Sequence, residues 1–402
     1  MAATLTSIEP YLKEVYTGKI RRQLNEEITT IKRVTRSGSG VSSETNGKYV
    51  TFPIHTRRNN GLGSRNEMDP LPIPGQQGYA AARLGLKSAY GGIQITGQAI
   101  EMADTDPKAF ARSLDEEIDR LKTDVKKDMN RQVYADGTGV IGTVRSNGTG
   151  VNIVPVTDAR LFWIGALVDV ATLPSTVAVS ARTVTAVDLT AGANTVTLSG
   201  ATFNVTTGQI LVRSGSLGKE ITGLKAIVAA SGVLYNINPA SEPEWKSVVN
   251  SNGGTPRALS EGLMIQMADN IRVNGGKTTV IFQSLGVRRS YFNLLSQLRQ
   301  IVNDQTFDGG FKGLAFTTDA GEIPLIADVD APLGAQWFIN EEALTFYRDE
   351  EWHWLDRDGS MFKQVTDANG VYDAYYAHLV ERHELGTDRR NTHGKIEDII
   401  EG

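Results

Sequence analysis

Gly137, Gly139 and Gly142 spell G-x-G-x-x-G, the spacing that lets a backbone approach a pyrophosphate when it joins a strand to a helix. Here the string follows a helical pattern instead of a strand, so it reads as the turn that ends a helix. No G-x-x-x-x-G-K-S/T, H-E-x-x-H or G-x-S-x-G string is present. The histidines, His55, His353, His378, His383 and His393, do not fall at metal-ligand spacing on one helix and read as surface or interface residues. Asp356, Asp358 and Gly359 hint at a calcium loop, but the glycine stands at the wrong offset and the closing glutamate is missing, which leaves a tight turn. Trp337, Trp352 and Trp354 could form a ligand platform; buried sheet aromatics are the commoner outcome. With no cysteine, disulfides, thiolate catalysis and Cys-based metal sites are excluded. The expectation is a non-enzyme without catalytic residue, metal or cofactor.

The chain has 402 residues, 40% of them hydrophobic, which suits two or three packing units of a folded protein. A net charge of −5 argues against a polycation made for tight nucleic-acid binding. The first ten residues do not resemble a secretion signal, and no run approaches the roughly 20 apolar residues of a membrane span. Folding in a cytoplasm, with no membrane partner, is expected.

One stretch dominates the organisation. Phe110, Leu114, Ile118, Leu121, Val125, Met129 and Val133 recur at helical spacing as a single apolar stripe. Asp106 and Pro107 supply a start and Gly137 a stop, giving a rod of roughly 40 Å. Glu116/Arg120, Asp119/Lys122, Asp124/Lys127 and Asp128/Arg131 predict a lattice of solvated ion pairs on its outer face. Before it, Val50, Phe52 and Ile54 alternate as a one-sided strand, and Ala82, Leu84 and Leu86 mark the return. The intervening Asn59 to Gly75, rich in Gly and Pro, is far longer than a hairpin turn needs. A long two-stranded ribbon is marginal in water and must lie on another surface, so an oligomer is expected.

After the helix come Asp136-Gly137-Thr138-Gly139 and a Val/Thr/Ser-rich β region with strands near Thr183 to Val187, Asn194 to Leu198 and Gly208 to Arg213. An α/β texture returns with Leu259, Leu263, Met267 and Ile271 on one helix, a strand from Thr278 to Phe282, and a helix capped by Ser284. Strands at Trp337 to Ile339, Leu344 to Tyr347, Tyr375 to Leu385 and Lys395 to Ile400 close the chain, and the last of these surround Glu381-Arg382-His383-Glu384-Leu385 and Arg389-Arg390-Asn391-Thr392-His393-Gly394.

In this order the parts resemble, over nearly the whole chain, the HK97-fold major capsid proteins of tailed double-stranded-DNA bacteriophages. The resemblance implies an α+β fold with an N-arm (1–46), an E-loop hairpin (47–90), a peripheral domain with its spine helix (91–145), the start of an axial domain (146–164), an inserted small β domain (165–245), the rest of the axial domain (246–343) and C-terminal peripheral strands (344–402). The implied function is self-assembly into hexamers and pentamers of an icosahedral head around packaged DNA. The E-loop would lie across a neighbouring subunit, with Arg57, Arg58, Arg65 and Glu67 as candidate charged contacts. Asp356, Arg357 and Asn369 are candidate peripheral-loop contacts. Hinges for shell expansion would sit at Gly38, Gly40, Gly91 and Gly92, where glycine tolerates large dihedral changes.

Some members of the family join subunits through an isopeptide bond between an E-loop lysine and an asparagine. Asn369 lies near the acceptor position, but no lysine occurs between Phe52 and Leu86, so that crosslink is not expected. The N-arm segment is basic and reads first as a solvated helix face, second as a patch toward DNA or a scaffolding partner. Because the chain opens directly in an arm-like helix, a separate scaffolding protein, or none, is expected. Portal protein, a decoration protein and weakly, non-specifically held double-stranded DNA complete the implied partners, in a virion assembled in a host bacterial cytoplasm. Two other readings stay open: an encapsulin-like nanocompartment shell, and a monomeric surface- or glycan-binding protein that uses the inserted β domain.

Overall fold

The computed structural model describes residues 29–34, 41–42, 49–97, 107–190, 193–299, 315–318, 321–349, 351–356, 362–367 and 370–402. It is a mixed α+β fold in which the hairpin and parts of the first and second sheets share one main core, while the other face of the second sheet and the third sheet each have a core of their own.

The first sheet is organised by one long strand, Gly370–Thr387, which pairs with Leu344–Arg348, His353–Trp354, Lys363–Asp367 and Lys87–Thr96. Its register against Lys87–Thr96 runs unbroken from Ala374↔Thr96 to His383↔Lys87. The 27-residue helix Pro107–Val133 packs across this strand pair, as the apolar stripe predicts. Met129 and Val133 are buried and Ile118, Leu121 and Val125 half-buried, while Asp106, Phe110 and Leu114 fall outside the described positions or side chains.

Gly91 shows why the helix can lie so close. A Cβ built there would stand 2.9 Å from Val125 Cγ2 and 3.0 Å from Leu121 Cδ1. Gly91 and Gly92 pair with Leu379 and His378 in the middle of the strand. Both glycines thus stand within a strand register, and the missing side chain at position 91 serves close packing of the helix. Gly38 and Gly40 lie outside the described residues.

The second sheet runs Val248–Asn250, Gly394–Ile396, Gln336–Ile339, Val280–Gln283, Gly321–Ala327, Ala315–Thr318, with helices Glu261–Val273 and Leu285–Arg299 sharing its core. The Ser284 hydroxyl accepts from Val287 N at 3.2 Å, the expected cap. Gly394–Ile396 belongs to this second sheet and not to the first. The chain leaves that sheet after Thr387 and pairs with Val248–Asn250 and Gln336–Ile339 instead. So short a strand has no pattern that names its partner.

The third sheet, Val140–Thr143, Ile210–Arg213, Leu167–Thr172, Thr176–Asp188, Thr195–Leu198, Ile153–Pro155, has its own core around Val154, Val168, Val184, Val196 and Leu211. It begins at Val140. Its strands end at Arg213, and Leu224, Ile227, Leu234 and Trp245 are buried instead in the main core with the hairpin, the long helix and Trp337. Trp337 belongs to the second sheet and Trp354 to the first, so the three tryptophans form no platform.

Candidate assembly surface

The hairpin pairs Tyr49–Arg57 with Gly78–Gly85, from Tyr49↔Gly85 to Arg57↔Gly78. Its alternation places Val50, Ile54, Ala82 and Leu84 in the main core. Arg83 N donates to Tyr235 O at 2.9 Å, and Arg57 Nη2 meets Glu242 Oε1 at 3.0 Å, so the base is fixed to its own subunit.

Beyond the strands, residues 58–77 form a loop shaped by polar turns and covered by no other segment among the described residues. Asn59 Oδ1 accepts from Gly61 N at 2.7 Å, and Asp69 Oδ2 accepts from Asn66 N at 3.0 Å. Arg65 donates through Nε to Pro70 O at 3.0 Å and through Nη1 to Ser64 O at 2.9 Å. On this frame stand Leu62, Met68, Leu71 and Ile73, exposed by 83%, 93%, 84% and 87%. Four large apolar side chains facing water on one loop make it the candidate contact surface.

Under the hairpin base, Glu384 is buried and accepts from Thr222 N at 2.5 Å and Leu385 N at 3.2 Å. Burial pushes its carboxyl up to about 8 against those hydrogen bonds and the nearby Lys87 charge. The folded state therefore holds a proton that the unfolded chain releases above pH 4.5, and stability is lost as pH rises from there toward 8. Glu384→Gln keeps an acceptor and removes the titration. It is expected to remove about a few kcal/mol of the stability lost between pH 5 and pH 8 in wild type, read as a flatter fall in melting temperature. Parallel melting curves with the same slope would overturn this.

The last turns of the long helix are tied to distant segments. Thr30 Oγ1 donates to Asp328 Oδ2 at 2.6 Å, Asn130 Nδ2 reaches Asp330 Oδ2 at 2.7 Å, and Lys127 Nζ meets Asp330 at 2.9 Å. Arg131 bridges Asp128 at 3.0 Å and Glu220 at 2.6 Å, and Arg213 meets Asp128 at 2.9 Å. Burial opposes the Asp128 charge, but Arg131 and Arg213 outweigh it and hold the carboxyl below its usual range; at Glu220 burial wins over Arg131 and the carboxyl rises. The predicted solvated lattice is corrected here: Asp119/Lys122 is exposed as expected, but Asp128/Arg131 is a buried joint. The glycine string is the helix-ending turn, with Gly137 and Gly139 at φ +85° and +86°.

No protein-family model matches the sequence, and no curated protein is similar to it. Among solved structures, the chain is similar over 99% of its length to 99% of a chain in the capsid asymmetric unit of cyanophage A-1(L), at 14% identity and a TM-score of 0.64. It is also similar, end to end, to a chain of Mycobacterium phage Bobi, at 11% identity, 100% coverage of both and a TM-score of 0.52. The chain has a phage capsid fold. An encapsulin complex from Synechococcus elongatus is matched at 7% identity over 99% of this chain and 96% of that one, with a TM-score of 0.43, too weakly to bear on function.

Within this capsid fold the sequence-derived contact candidates separate. Arg57 is engaged with Glu242 of its own subunit, and Arg65 braces the loop it stands on. Arg58 and Glu67 are exposed on the same loop. Asp356 is exposed beside a cavity of about 270 Å³ lined also by Tyr90, His353 and Arg382. Arg357 and Asn369 lie outside the described residues. The expectation of surface histidines is corrected at two positions. His383 is buried 3.2 Å from Glu381, and His393 is buried between Asn340 N and the Thr387 hydroxyl, its pKa pushed down by burial to about 3. Sequence reasoning missed the apolar loop tip, although Leu62, Met68, Leu71 and Ile73 stand among glycines and prolines where no core could take them.

Proposed function

We propose that this chain is a major capsid protein whose copies form hexamers and pentamers of an icosahedral phage head around packaged double-stranded DNA. One observation carries the reading: a chain similar end to end to one in a phage capsid asymmetric unit holds out a loop whose apolar side chains are exposed among the described residues. In this reading the hairpin is the E-loop and the long helix the spine. The first sheet is then the peripheral domain, the second the axial domain and the third an insertion. The E-loop tip lies on a neighbouring subunit, where each small apolar contact is repeated around the shell. A portal protein, a separate scaffolding protein and a decoration protein are the partners such a head would use, and the negative net charge keeps DNA contacts weak and local. The subunit acts by assembly, not catalysis, in a virion formed in the host bacterial cytoplasm.

Electron microscopy of the purified protein, with mass measurement in solution, tests this. Closed shells, or rings of five and six, are expected. A persistent monomer, with or without a co-expressed scaffolding partner, would overturn it. Shells filled with an enzyme cargo in place of nucleic acid would move the assignment to a nanocompartment.

A further inference from the structure

The third sheet has an unguarded edge. Strand Thr176–Asp188 pairs on one side with Leu167–Thr172. On the other side Thr195–Leu198 covers only Val184 to Asp188. Thr183 is taken up by Ser199, whose N–H donates to Thr183 O at 2.8 Å, and Ala181 N donates to Asp169 Oδ1 at 2.7 Å. Among the described residues nothing pairs with that edge from Thr176 to Ser180.

The composition of this arm suits pairing. Val170 to Ala181 carries no charged side chain, and Thr176 to Ser180 contains no proline. Free edges are ordinarily guarded by Lys, Pro or an inward charge, and an exposed β-branched edge without them is a template for another strand. Val177 is 43% exposed and Leu173, at the tip of the same arm, 46%. Two register shifts against Leu167–Thr172 add local twist, which keeps the available edge short.

We propose that Thr176 to Ser180 pairs antiparallel with the same strand of a second copy across a two-fold axis. An uncharged edge meets itself without like-charge opposition. Centred on Ala178, the pairing sets Val177 of one copy opposite Val179 of the other and Thr176 opposite Ser180, favourable cross-strand neighbours. An isologous contact requires such self-complementarity. The contact is short and acts chiefly where a shell holds copies face to face, so it rests on the capsid reading.

Because the chain has no cysteine, Ala178→Cys introduces a single thiol. Self-pairing puts the two Cα atoms about 4.5–5.5 Å apart, inside the roughly 4.4–6.8 Å range of a disulfide. Oxidation of assembled Ala178→Cys particles with copper–phenanthroline is expected to convert most chains to a dimer band on a non-reducing gel, while Leu189→Cys, exposed elsewhere on the unit, stays monomeric. If Ala178→Cys misfolds by circular dichroism, the Thr176→Cys/Ser180→Cys double variant is expected to give the same dimer. Shells that form and resist crosslinking at all these positions would overturn the inference and leave the capsid reading intact. Dimers without shells would support the pairing and overturn the capsid reading. Neither shells nor dimers would remove both.

Discussion

Replacing Leu71 and Ile73 together by aspartate is expected to leave the subunit folded and abolish shell assembly. Both side chains are more than four-fifths exposed, at 84% and 87%, so the folded subunit gives up no packing and its stability should stay within about 0.5 kcal/mol. In the proposed assembly the same two positions would enter an apolar contact, where an unpaired carboxylate costs several kcal/mol. The contact recurs at every subunit, so the penalty multiplies until closed shells no longer form. Unchanged melting with loss of particles in sedimentation and electron microscopy is the expected pair of results. Particles at wild-type yield would show that the loop tip is not the assembly surface.

Arg390→Ala is expected to cost about 3–5 kcal/mol of stability, the largest single effect in the subunit. The Arg390 guanidinium is buried and donates to backbone carbonyls instead of a carboxylate. Nε reaches Ile227 O at 2.9 Å, Nη1 reaches Gly232 O at 3.1 Å, and Nη2 reaches Ala226 O at 3.0 Å and Ser231 O at 3.1 Å. The planar fork thereby gathers the turn after the short helix Leu224–Ile227 onto the end of the long strand. Truncation leaves these carbonyls without donors in a site that water reaches poorly. Lysine supplies a point charge without the fork, so Arg390→Lys should recover only part of the loss. Urea unfolding of the three proteins checks this, and a loss below about 1 kcal/mol for Arg390→Ala would refute the role given to the guanidinium.

Much of this architecture was legible in local periodicity. The helix Pro107–Val133 announced itself because its apolar residues repeat every three or four positions, and the hairpin because Val50 and Ile54 alternate opposite Ala82 and Leu84. The surface that the two-stranded ribbon needs was not legible: its strands lie on the main core of their own chain. The order of these parts carried the resemblance to capsid proteins that the solved structures support at the level of fold.

Other features had no local signal. Thr30 and Asp328 are 298 residues apart, and neither type predicts the other; only burial beside Asn130 makes their hydrogen bond necessary. Nothing beside Gly91 in the sequence signals that the long helix lies against it and uses its missing side chain. Asp128 and Arg131 have the spacing of a solvated pair and became a buried joint once Glu220 and Arg213 closed over them. The three-residue strand Gly394–Ile396 found its sheet only when Val248–Asn250 and Gln336–Ile339 were already placed. The sequence by itself determined which segments are helix or strand, because side-chain periodicity along the backbone is a local property. Which edges pair, which charges are buried and which apolar residues stay uncovered was decided by the tertiary structure, because burial depends on segments that meet only when the chain is folded.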